Sequence, residues 1–153
     1  MPKTNYADTR TPAELLNRSE PLAEIAIPKG AYLPGLDDAG TYAMRLLGNC
    51  LEPVAADGEH AIINPEKPCQ PGDFVALIFA DGRMPLVKRL LVPSVLPLGK
   101  PVAVGNVDGL VMVEMLSPRR ILRLRACDVA AIHRVLGFLK RDGSMLAAGR
   151  AVQ

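Results

Sequence analysis

From residue 41 onward the chain runs in short apolar or alternating segments: TYAMRLL, EHAIIN, DFVALIFA, MPLVKRLL, PVAVGN, GLVMVEML, ILRLRA and HRVLGFLK. Turn formers separate them at Asp57-Gly58, Pro71-Gly72-Asp73, Asp81-Gly82, Asp108-Gly109 and Asp142-Gly143. Runs this short between such breaks predict strands rather than helices. Asp81-Gly82 lies between two apolar runs and predicts a hairpin, because Gly accepts the positive φ of tight turns. ILRLR alternates as a strand with one wet face does, whereas DVAAIHRV carries the spacing of a single helical turn. The expected body, residues 41–141, is a mainly β, coiled antiparallel sheet, followed by a tail over 142–153.

Residues 1–40 read as an arm. Thr11-Pro12-Ala13-Glu14 supplies a capping Thr, a Pro at the first helical position and a Glu able to bond back. A brief helix through Leu15 and Leu16, ending before Pro21, is expected there. EIAIPKGAYLPGLDDAG is broken by Pro and Gly and predicts an extended segment laid over a surface.

Composition narrows the classes. The 153 residues suit one domain with a real core. Apolar residues at 49% and charged residues at 22% argue against disorder. A net charge of +2 argues against a nucleic-acid surface, and the Arg119, Arg120, Arg123, Arg125 cluster reads as a solvated strand face. One short capped helix among several Pro residues cannot supply a helix-turn-helix, so no direct DNA binding is expected. No apolar run approaches the roughly 20 residues of a membrane helix, and nothing after MPKTNYADTR resembles a signal peptide. The expectation is a cytoplasmic protein without membrane contact.

The three cysteines, Cys50, Cys69 and Cys127, are odd in number and far apart, which argues against a disulfide framework. Cys69, beside Pro68 and ahead of a turn, is expected at the surface. Neither His60 nor His133 stands at metal-ligand spacing from a Cys, so no zinc site is expected; no other metal and no organic cofactor is expected either. His60 is expected to face solvent; a papain-style pairing with Cys50 is the lesser alternative. Glu52 and Asp57 read as turn and capping residues rather than an acid pair. Met44, Met84, Met112 and Met115 read as core filler.

The segment LGNCLEPVAADGEHAII poses the chemical question, because it sets Cys50 in a turn between two apolar runs. A lone Cys is usually a small buried hydrophobe. Lys88 changes that, since PLVKRLL points it inward while Arg89 takes the opposite face. Burial disfavours the charged form of an amine and leaves one able to accept a proton. A thiol beside such an amine has the makings of a nucleophile–base dyad.

Four ordered motifs carry a resemblance. Gly48-Asn49-Cys50-Leu51-Glu52-Pro53 resembles the G-D-S-M-x-P motif of the S24 peptidase family, that of the LexA- and UmuD-type regulators. Asp57-Gly58-Glu59 is similar to the D-G-D that follows, Pro71-Gly72-Asp73-Phe74-Val75 to G-D-x-V, and Val87-Lys88-Arg89-Leu90 to V-K-R-L. The 38 residues from Cys50 to Lys88 are close to the family's interval between nucleophile and base. The resemblance covers residues 41 to 141 and implies a LexA/signal-peptidase-like β fold, a homodimer and self-cleavage of the arm. It implies Cys50 as nucleophile in place of Ser, Lys88 as general base, and backbone N–H groups around Gly48, Asn49 and Leu51 for the oxyanion. Asn49, Leu51 and Glu59 replace the family's Asp, Met and Asp. The arm reads TPAELLNRSEP where an Ala-Gly or Cys-Gly would be cut. The expectation is therefore a poorly cleaving or inactive relative acting as a dimeric protein-interaction module. The alternative is an active self-cleaving enzyme of a DNA-damage or phage-type response.

Overall fold

Strand propensity and turn chemistry place nine strands of the described residues in one antiparallel sheet. The structure, a computed structural model, describes residues 19–22, 25–92 and 109–148. The strands are β1 (Ser19–Pro21), β2 (Tyr42–Arg45), β3 (His60–Asn64), β4 (Phe74–Phe79), β5 (Leu86–Val92), β6 (Leu110–Leu116), β7 (Arg119–Arg125), β8 (Val129–Leu139) and β9 (Met145–Ala147). Their order is β1-β2-β3-β8-β4-β5-β6-β7, with β9 on the far end of β8. The mainly β fold is as the sequence predicts. The candidate helix through Leu15 and Leu16 and the candidate strand PVAVGN lie outside the described residues. Ser19–Pro21, at the predicted helix's end, is a strand paired with β2.

β8 joins the two halves of the sheet. Its Arg134 stands opposite both Asn64 of β3 and Val75 of β4. β3 takes the C-terminal half of β8 and β4 the N-terminal half, and register shifts at Ile62/Ile63, Ile78/Phe79 and Leu90/Val92 coil the sheet. These shifts also explain a correction. Beyond Asp128, which ends the short 3-10 turn Ala126–Asp128, DVAAIHRV is not a helical turn but the start of β8. The bulge facing Ile78/Phe79 leaves Ala130 outside the pairing, so Val129 and Ile132, three apart, share one apolar cluster. A slipped two-residue period mimics a helical one.

Burial follows the pattern. β4 is buried on both faces except at Ile78, as a central strand should be. In β7, Leu122 and Leu124 turn inward while Arg123 and Arg125 stay in water, and the arginines protect an otherwise open edge. β4 and β5 pair antiparallel from Phe74↔Arg89 to Leu77↔Leu86, with Asp81-Gly82 in the connection between them. Gly82 takes φ +81 and Asp81 Oδ1 accepts the Arg83 N–H at 2.9 Å.

One apolar cluster lies within the β4–β8 curl around Leu77, Leu90, Val113 and Ile132. A second, around Met44, Leu51, Phe74 and Phe138, lies beneath the turn that follows β2. In a third, Leu33 of the arm is buried at 2% exposure against Ala43, Ile62 and Leu139. Gly137 makes that docking possible: a Cβ there would lie 2.6 Å from Leu33 Cδ1 and 2.5 Å from the Leu146 carbonyl oxygen.

Candidate active site

The turn between β2 and β3 is closed at its base by two backbone hydrogen bonds. Leu46 N–H donates to the Glu59 carbonyl at 2.8 Å, and Gly58 N–H to the Leu46 carbonyl at 2.9 Å. Gly48 adopts φ +83, a conformation that disfavours other residues, and its N–H donates to Asp57 Oδ1 at 2.7 Å. Leu51 and Ala55, at 2% and 1% exposure, anchor the turn in the core. The Cys50 carbonyl accepts the Leu116 and Ser117 N–H groups at 2.8 and 3.1 Å, which ties the turn to the end of β6.

A polar clamp holds the other side. Glu59 accepts the Ala56 N–H at 2.8 Å, the Arg141 N–H at 2.7 Å and Lys140 Nζ at 2.9 Å. Lys140 Nζ also donates to the Val54 carbonyl at 2.6 Å, and Arg141 to the Asp57 carbonyl at 2.6 Å. Burial opposes ionisation of Glu59, but Lys140 and the two N–H groups outweigh it and hold the carboxyl below its ordinary range.

Lys88 comes from the middle of β5 and is 6% exposed. Its Nζ lies 3.0 Å from Cys50 Sγ. Among the described residues it has no other hydrogen-bonding or ionic partner. Cys50 itself is half-buried. Arg89 takes the other face, where its Nε bonds Glu114 Oε1 at 3.0 Å and its Nη2 joins the same oxygen. Cys50 and Lys88 sit together in an open cleft walled by Met44, Leu46, Leu47, Leu51, Met84 and Val87. β1 begins at that wall, since Ser19 stands opposite Met44. The N–H groups of Asn49, Cys50 and Leu51 make no hydrogen bond among the described residues.

Two expectations about site residues are corrected. Cys69 is buried at 0% exposure rather than at the surface, its Sγ 3.9 Å from the Ile132 carbonyl oxygen in an apolar setting that suits a small thiol. His60 is half-buried at the start of β3 and its Nε2 is shielded from water, because strands β2 and β8 flank it on both sides. His133 bonds the Tyr42 hydroxyl at 2.8 Å through Nδ1. Burial lowers the imidazole's proton affinity and raises that of the phenol, so the pair is neutral. Of the methionines, Met44 is buried and Met84 lines the cleft, while Met112 and Met115 are half-buried. Sequence reasoning missed the Leu116–Ser117 clamp on Cys50 and the Lys140 anchor. Backbone donors leave no trace in side-chain pattern, and Lys140 carries only the mark of a cation ending an apolar strand.

The chain matches no protein-family model, no curated protein and no solved structure. No helix among the described residues is long and apolar enough to cross a membrane.

Proposed function

We propose that this protein is an S24 peptidase-like regulatory protein of the LexA/UmuD type, with Cys50 as nucleophile and Lys88 as general base. The observation that carries the reading is the 3.0 Å approach of Sγ and Nζ across 38 residues, with no competing partner for the amine among the described residues. Replacing a buried charged group by an apolar one of similar size is often neutral or stabilising, so stability gives little reason for a lysine facing a thiol. In this reading the substrate is the chain's own arm, residues 1–40, which enters β1 beside the cleft.

The chemistry follows from the placement. Lys88 Nζ takes the thiol proton while Sγ attacks the scissile carbonyl carbon, and negative charge moves to its oxygen. The N–H groups of the 49–51 turn, without a partner among the described residues, stabilise that oxygen. Lys88 returns the proton to the departing amine, leaving a thioester on Cys50. Water then attacks the thioester carbonyl while Lys88 accepts its proton, and the C–S bond breaks as that proton passes to the departing Cys50 sulfur. General-base assistance of this kind contributes about 10²–10⁴-fold.

A second reading is favoured by the arm itself, which has no Ala-Gly or Cys-Gly in TPAELLNRSEP. In it the dyad cleaves poorly or not at all, and the domain serves as a dimeric interaction module. Incubation of the purified chain at alkaline pH, followed by mass spectrometry, separates the two. A shortened species that disappears in both Cys50→Ala and Lys88→Ala supports self-cleavage. A chain that stays intact and dimeric at every pH sinks it in favour of the module.

A further inference from the structure

We propose that the Cys50–Lys88 pair is a redox-modification site, at which a peroxide-class oxidant converts the 3.0 Å contact into a covalent sulfur–nitrogen link. The inference rests on the geometry of the pair and not on the peptidase reading.

Thiol oxidation is selective for exposed sulfur, and Cys50 is half-buried in an open cleft that a small peroxide can enter. Sγ attacks one peroxide oxygen and the O–O bond breaks. The departing hydroxide takes the thiol proton as water and leaves a sulfenic acid. Sulfur has then lost two electrons and peroxide has gained them. A sulfenic acid is electrophilic at sulfur and condenses with the nearest nucleophile, in most proteins a second thiol. Here Cys69 is buried in a different apolar cluster and Cys127 lies in the exposed Ala126–Asp128 turn. The neighbour in reach is Lys88 Nζ, which is 6% exposed and has no other partner among the described residues.

In the second step the nitrogen lone pair attacks Sγ and the S–O bond breaks. The hydroxide leaves as water with one nitrogen proton. No further electrons move, and the chain has lost two hydrogen atoms overall. Both members of the pair are consumed, and the sulfur is protected from irreversible oxidation until a thiol reductant reopens the link. Wherever the pair acts as a dyad, that link silences nucleophile and base together.

The test is hydrogen peroxide treatment of the full chain carrying Cys127→Ser, followed by intact-mass measurement and peptide mapping. The expected result is a loss of two hydrogens, a linked pair of peptides containing Cys50 and Lys88, loss of alkylation at Cys50, and recovery of all three in dithiothreitol. The same treatment of Lys88→Met should instead add oxygen to Cys50. Oxygen added to Cys50 beside an unlinked Lys88 in the Cys127→Ser chain overturns the proposal, as does a link mapped to any other lysine. Self-cleavage followed in the same samples reads the peptidase proposal separately, since the link forms in a non-cleaving chain as well.

Discussion

Lys88 and Arg89 are neighbours on one strand with opposite solutions to the same problem. Arg89 finds a countercharge by sharing Glu114 Oε1 through two donors, on a carboxylate whose side chain is 8% exposed. Lys88 lies deeper, yet among the described residues its amine faces only the sulfur of Cys50. The first arrangement satisfies a buried charge and needs no other explanation. The second leaves an amine without a countercharge, which stability alone does not favour. Local rules broken without structural compensation mark functional sites, and here the breach lies in a cleft.

Breaking the compensated face should have the larger effect on folding. Glu114→Ala leaves Arg89 without its partner and should cost about 1–3 kcal/mol in urea unfolding, the arginine being partly solvated. Alkylation of Cys50 should survive that change. Lys88→Met, on the uncompensated face, should alter stability by less than about 1 kcal/mol or raise it. A loss as large as that of Glu114→Ala would mean that Lys88 is a structural residue.

Much of this contrast is legible in the sequence. The alternation in PLVKRLL separates Lys88 from Arg89, and ILRLR carries its wet face openly. Short runs broken by Asp-Gly turns are enough for an antiparallel sheet. The bulges are not legible: their extra residue shifts a two-residue period, and DVAAIHRV then reads as helix. The burial of Cys69 is hidden for a related reason, because a neighbouring Pro and turn describe the backbone and not what packs over the thiol. The anchors of the Cys50 turn are hidden more deeply. Glu59 meets Lys140 and Arg141 across more than eighty positions, and Leu116 and Ser117 act through backbone N–H groups alone. Nothing in local pattern announces a contact at that range.

The smallest effect concerns that clamp. The Glu59 carboxyl is held below its ordinary value, so its stabilising contribution is complete above about pH 4.5 and fades as acid protonates the folded form. Urea midpoints measured from neutral pH downward should therefore fall less steeply in Glu59→Gln than in the parent chain. Parallel curves would show that the clamp does not hold the turn.

The central claim is that Cys50 and Lys88 work as a unit, and the rate of Cys50 alkylation tests it most directly. In a Cys127→Ser background Cys69 is too deeply buried to compete, so iodoacetamide at neutral pH reports on Cys50. Replacing Lys88 with Met should slow that reaction by about tenfold or more, because the sulfur loses the amine that stands 3.0 Å from it. Equal rates with and without Lys88 would contradict the account.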